Sequence, residues 1–179
     1  GLVNAILRRA QRESTPLLSK LDQYDATRFA HPQWLVSLLK KDSPDLLRTI
    51  LENNQAHPPM WLRVNTKRIS VADYQQQLQA AGLMSERSQF ATEALLLTTP
   101  VDVHSLPLFA EGAVSVQDAA AQLAAHLLAT QAGDRVLDAC AAPGGKTAHL
   151  LESCAGLALT ALDKQPQRIE QIRENLKRL

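Results

Sequence analysis

Cysteine is scarce in this chain of 179 residues: there are two, too few for a disulfide framework, and no Cys/His group has the paired spacing of a zinc site. No metal is therefore expected, and a reducing cytoplasm is the setting that fits. Aromatic residues make up 4% of the chain, which leaves little for stacking nucleic-acid bases. Neither sign of charge prevails, because 19 Lys and Arg face 18 Asp and Glu for a net charge of +1. No whole-molecule field attracts a polyanion, so contact with RNA has to use local patches. Long apolar runs are missing as well. The most apolar segment, Ala119 to Thr130, is interrupted by Gln122 and His126 and falls well short of the roughly 20 residues of a membrane span. No signal peptide is visible. The chain opens on Gly1 inside an amphipathic pattern (Leu2, Val3, Ile6, Leu7) and stops at Leu179 on another, so both ends read as cuts through a longer protein. What is present is a hydrophobic content of 45%, that of a globular protein with a buried core.

The pattern divides at His57-Pro-Pro59. Before it, residues 1–56 read as helical: Leu2 to Arg12, a polar stretch from Glu13 to Ala30, Gln33 to Lys41, and a helix capped by Ser43 with Pro44 first and Leu46, Leu47, Ile50 and Leu51 on one face. From 57 to 112 the reading is α/β. Met60 to Asn65 alternates like a strand, Ser70 and Asp73 form a capping box for a helix that Gly82 closes, and Glu93 to Thr99 is a further strand. Between Pro100 and Gln117 a hairpin and an irregular crossover both fit. From 113 to 179, Asp118 caps an Ala-rich helix and Gly133-Asp134 turns into a strand, Arg135 to Asp138. A helix over Gly145 to Ser153, a second strand within Gly156 to Leu162, and a helix from Pro166 with Ile169, Ile172, Leu176 and Leu179 inward complete a βαβα unit. Trp34 and Trp61 are expected in the core.

The richest stretch is Asp138-Ala-Cys-Ala-Ala-Pro-Gly-Gly-Lys-Thr147, which turns an apolar strand into a helix and leaves backbone N–H groups open to a ligand. A triphosphate-binding P-loop ends similarly, but G-x-x-x-x-G-K-[ST] requires glycine where Cys140 stands. The dinucleotide fingerprint fails too, since Gly144 and Gly145 are adjacent and no third glycine follows. S-adenosylmethionine suits the loop better. It carries a carboxylate for the backbone donors of a loop formed by Cys140, Ala141, Ala142, Pro143, Gly144, Gly145 and Lys146, in which proline alone has no N–H to give, and ribose hydroxyls for Asp163, the acidic residue closing the next strand. Lys146 either orients the cofactor carboxylate, contacts RNA or is a solvated helix-start lysine; Arg168 contributes to the cofactor site or only caps its helix face.

This loop resembles that of the RNA cytosine-carbon-5 methyltransferases of the NOL1/NOP2/Sun group, and Leu162-Asp-Lys-Gln-Pro-Gln-Arg168 looks like their following acidic motif. Leu62-Arg-Val-Asn-Thr-Lys67 is similar to the strand that opens the group's RRM-like subdomain, and Val116-Gln-Asp118 to the segment before its catalytic domain. Leu2-Val-Asn-Ala-Ile-Leu-Arg8 resembles the last helix of the NusB-like RNA-binding domain in a bacterial branch that methylates small-subunit ribosomal RNA. The resemblance implies an α+β fragment: the end of an all-helical NusB-like domain (1–56), a small RRM-like α/β subdomain (57–112), and the first βαβα of a Rossmann-like S-adenosylmethionine-dependent methyltransferase domain (113–179).

Carbon 5 of cytosine is a weak nucleophile, and the group's chemistry is covalent: a cysteine thiolate adds at carbon 6, carbon 5 takes the methyl group, and proton loss releases the enzyme. The cysteines used stand in Thr-Cys and Pro-Cys dipeptides, and neither dipeptide occurs here. Cys140 reads as a small loop residue and Cys154 as a packed one, so no catalytic residue is expected in this chain, which is expected to bind cofactor weakly and to methylate nothing alone. Two basic clusters are candidates for ribosomal RNA: Arg8, Arg9 and Arg12 on the first helix, and Arg63, Asn65, Lys67 and Arg68 on and after the first strand. A monomer is expected. The alternatives are a non-catalytic RNA-binding protein and an S-adenosylmethionine-dependent methyltransferase with another substrate.

Overall fold

The computed structural model describes residues 1–179, which fall into two compact units, Gly1–Pro58 and Pro59–Leu179. The first is helical: α1 (Leu2–Arg12), α2 (Ser14–Leu21), α3 (Asp25–Arg28), α4 (Gln33–Asp42) and α5 (Leu47–Asn53), with a 3-10 turn at Pro44–Leu46. The stretch Glu13 to Ala30, polar in sequence, thus forms two helices. Ser43 makes no side-chain cap. Only Val36 and Leu51 are buried among the large apolar residues of this unit, and the stripe Leu2, Val3, Ile6 and Leu7 is exposed. Trp34, expected in the core, is also exposed, because α4 turns Val36 inward.

The second unit holds two sheets. In the antiparallel one, β1 (Met60–Val64), β2 (Ser85–Arg87), β3 (Ala94–Leu97) and β4 (Val114–Val116) lie in the order β2-β3-β1-β4. Helix α6 (Val71–Ala80) links β1 to β2; its Ser70 hydroxyl accepts from the Asp73 N–H at 3.1 Å and donates to the Asp73 carboxylate. The ambiguous stretch after Pro100 is an irregular crossover with one 3-10 turn, Val103–Ser105, and β4 returns to the far edge of β1. The antiparallel sheet therefore runs on to Val116 and incorporates residues beyond 112.

Successive side chains of a strand point to opposite faces, and β1 uses both. Leu62 and Val64 join Tyr74, Leu78, Leu95, Leu97, Leu106 and Val114 in the main core. Burial pushes the Tyr74 hydroxyl pKa up, and that hydroxyl donates to the Pro107 carbonyl at 3.0 Å. On the other face Trp61 packs among Ala91, Ala94 and Ala119, as its apolar character predicts. That face is covered by α7 (Ala119–Leu128), which Asp118 caps by accepting from the Ala120 and Ala121 N–H groups.

The second sheet is a parallel pair, β5 (Arg135–Asp138) and β6 (Ala158–Ala161), in the register Arg135 to Ala158 through Asp138 to Ala161. Helix α8 (Gly145–Ser153) connects them, and α9 (Pro166–Arg178) follows with Ile172 buried. Leu137 and Leu162 remain more than half exposed. No helix is long and apolar enough to cross a membrane.

Candidate functional site

The loop between β5 and α8 is held from below by its own neighbours. The Thr147 hydroxyl donates to the Asp138 carboxylate at 2.7 Å, closing the turn across its base. The Ala141 N–H donates to the Leu162 carbonyl at 2.9 Å and the Ala142 N–H to Asp163 Oδ2 at 3.2 Å, which ties the loop to the end of β6. Asn175 Nδ2 donates to the Pro143 carbonyl and Arg168 Nη2 to the Ala142 carbonyl, which ties it to α9. Three of the expected donors are thus already engaged: Ala141, Ala142 and Gly144, whose N–H donates to the Ala141 carbonyl at 2.6 Å. The first N–H of α8 with an intrahelical partner is that of Ala148, so those of Gly145, Lys146 and Thr147 form the open helix start.

The two glycines differ. Gly144 has φ +101°, a backbone conformation that favours glycine, while a Cβ on it would make ordinary contact with Ile172 of α9 at 3.4 Å. Gly145 has no such demand: a Cβ there would meet only Gln117 Nε2, at 3.9 Å. The protein interior therefore does not ask for glycine at the first position of α8. The space left open beside Gly145 fits a cofactor lying against the loop.

Asp163 sits at the mouth of the loop with 4% of its side chain exposed. Its Oδ1 accepts from the Gln165 N–H at 3.1 Å, its Oδ2 accepts from Ala142, and the Arg168 guanidinium lies 3.6 Å away. The Gln165 N–H first, then the Ala142 N–H and Arg168, hold its carboxyl below the usual carboxylate range against the opposing effect of burial. It is ionised at neutral pH, and each oxygen retains a lone pair beyond these bonds. Lys146, Pro143 and Cys140 are exposed.

The second basic cluster does not form a surface. Arg63 and Asn65, expected to face RNA, are buried at 1% and 3% exposure. Arg63 spends its donors inside the fold: Nε and Nη2 on Glu152 at 3.1 and 2.8 Å, and Nη1 on the Gln117 side chain and on the Gly145 carbonyl at 2.7 Å. The side chain on β1 thereby positions the start of α8. Asn65 donates to the Gly112 carbonyl and accepts from the Lys67 N–H. Lys67 and Arg68 remain at the surface, where they donate to the Leu151 and Leu179 carbonyls. Arg8, Arg9 and Arg12 are exposed on α1, with Arg9 paired to Glu13.

Sequence reasoning missed a third group. His149 of α8 is 2% exposed with neither ring nitrogen hydrogen-bonded, and burial pushes its pKa down to about 4, so the ring is neutral at pH 7. It lies beside His126 and Glu93, residues from three elements that share no sequence motif.

Comparison with known proteins places this architecture in a class. A family model described as the ferredoxin-like domain of RsmF/B-like methyltransferases matches residues 31–104, and one described as 16S rRNA methyltransferase RsmB/F matches residues 125–179. The chain belongs to this RsmB/F methyltransferase family. Among curated relatives, the ribosomal RNA small subunit methyltransferase B of Vibrio cholerae is 50% identical over the whole chain, and that of Pseudomonas putida is also 50% identical. The chain spans 41% of the length of each. A methyltransferase homologue from Pyrococcus horikoshii superposes with a TM-score of 0.72 at 29% identity, covering 90% of this chain and 53% of that one. NSun6 from the same organism shares the fold at TM-score 0.74 and 19% identity, over 83% of this chain and 62% of that one.

Proposed function

We propose that this chain supplies the cofactor-loop half of an S-adenosylmethionine-dependent methyltransferase acting on carbon 5 of a cytosine in small-subunit (16S) ribosomal RNA. The observation that carries the reading is the pairing of the Cys140–Lys146 loop with Asp163 across two parallel strand ends, in a chain of the RsmB/F family. S-adenosylmethionine supplies an electrophilic methyl group on a sulfonium. The open N–H groups of Gly145, Lys146 and Thr147, reinforced by the α8 dipole, suit its carboxylate. Asp163 suits its ribose hydroxyls, and Gly145 leaves room for close approach. Arg168 acts by orienting Asp163 rather than as a separate contact.

The reaction forms a bond between a cysteine thiolate and carbon 6 of the base; carbon 5 then takes the methyl group, loses its proton to a base, and the thiolate leaves. In this reading that thiolate comes from outside residues 1–179, and neither Cys140 nor Cys154 takes its place. The helical unit and the antiparallel sheet bind and orient RNA, with Arg8, Arg9 and Arg12 as the exposed basic cluster. The NusB-like and Rossmann-like assignments of residues 1–56 and 113–179, a monomeric state and a cytoplasmic setting belong to the same proposal.

Titration calorimetry of the full-length protein with S-adenosylmethionine tests it. Micromolar binding that Asp163→Ala weakens about 10- to 100-fold, the loss of hydrogen bonds to a charged group, is the expected result. A protein that binds RNA but no S-adenosylmethionine would instead be a non-catalytic RNA-binding protein, and methylation of a different acceptor would leave the cofactor site and remove the cytosine assignment.

A further inference from the structure

Glu93, His126 and His149 converge from three elements of the second unit: the residue before β3, the last turn of α7 and the middle of α8. Their ligand atoms lie within 4.8 Å of one another. His126 Nε2 is 2.8 Å from Glu93 Oε2, and the Thr92 hydroxyl donates to that same oxygen at 3.0 Å. The His126 and His149 rings stand edge to face with centroids 5.4 Å apart.

His149 is what makes this more than a surface ion pair. A buried imidazole that makes no hydrogen bond forfeits on the order of 1–3 kcal/mol, and His149 has neither nitrogen satisfied at 2% exposure. A residue there for packing alone has cheaper apolar substitutes. Two imidazoles and one carboxylate form a donor set that suits a borderline divalent ion such as zinc.

We propose that Glu93, His126 and His149 bind one zinc-class divalent cation, with water completing the coordination. Bonds of about 2.0–2.1 Å in a tetrahedron set ligand atoms roughly 3.3 Å apart, so the three side chains close in by small rotations. The approach is through His126, whose side chain is 39% exposed. The nearby Arg63 guanidinium does not compete for Glu93, since Glu152 already neutralises it. The ion would clamp α7 and α8 to the start of β3 and so steady the helix whose first turn opens the cofactor loop; its role is structural, and no step of methyl transfer passes through it.

Zinc titration of the chelator-treated protein against a chromophoric competitor, with thermal unfolding alongside, tests the proposal. One ion per chain in the micromolar range and a raised Tm are expected, because a ligand that binds only the folded state stabilises it. His126→Ala, on the exposed side where folding is least at risk, and Glu93→Gln should each weaken binding about 10-fold or more. Cobalt(II) should give a tetrahedral nitrogen/oxygen spectrum without a thiolate charge-transfer band. The proposal is overturned if no saturable uptake occurs, if uptake survives in the His126→Ala/Glu93→Gln double variant, or if it is lost in Cys140→Ser, which would move the ion to a thiol.

Discussion

Strand β1 and strand β5 lie in the same compact unit and are built differently. From Leu62 to Val64 every residue of β1 is buried, with apolar side chains on one face and Arg63 on the other. Along β5, burial only alternates between exposed and intermediate, and Leu137 is 60% exposed. The first strand derives its stability from two packed faces. The second places Asp138 and the loop that follows it; within these 179 residues its sheet has two strands, in a chain that spans 41% of the length of its curated relatives, so its exposed faces describe this stretch of chain alone. The antiparallel sheet and the loop are joined by several side chains, among them Arg63, whose Nη1 reaches the Gly145 carbonyl at the start of α8, and Arg178 of α9, which donates to the Val114 carbonyl of β4.

The sharpest way to break this contrast is to remove the Arg63 link. Arg63→Ala leaves Glu152 without its buried partner and should cost about 3–5 kcal/mol, read from the urea midpoint at constant m; a cost under about 1 kcal/mol would show that the pair is not a structural anchor. Replacing Arg63 and Glu152 together by apolar residues of similar volume should recover much of the loss. Leu62→Ala, in the centre of β1, should cost about 2–5 kcal/mol. Gly144→Ala comes next, at about 1–3 kcal/mol from the positive φ. Because it reshapes the loop, it should also weaken S-adenosylmethionine binding in calorimetry. Leu137→Ala on β5 should stay within about 0.5 kcal/mol. If instead it proves as costly as Leu62→Ala, β5 is more deeply packed in solution than its exposure indicates, and the contrast between the strands fails.

Much of the second unit is legible in the amino-acid sequence, and the reason is range. The capping of α6 by Ser70 and Asp73, the capping of α7 by Asp118, and strand β5 with helix α8 rest on interactions between residues a few positions apart. Alternation in Met60 to Val64 and the helical stripe of α9 are likewise local periodicities. The stretch from Glu13 to Ala30 is less legible in this way, since α2 and α3 are short and bury no residue, and the apolar residues of α2, Leu17, Leu18 and Leu21, stand exposed among polar neighbours. Trp34 misleads because large apolar side chains are usually internal, whereas α4 turns Val36 inward with Leu35 and Leu39 half-buried beside it.

By itself the sequence determined the loop, the acidic residue after the next strand and the α+β order of elements, because each is written in residues near one another. Only the tertiary structure decided what Arg63 does, since its partners Gly145 and Glu152 lie 82 and 89 positions away and a basic residue beside Asn65 and Lys67 reads as surface until a sheet and a helix close over it. It also decided that Glu93, His126 and His149 meet. No spacing encodes that cluster, because the three elements that carry it come together only through the packing of α7 and α8 against the antiparallel sheet.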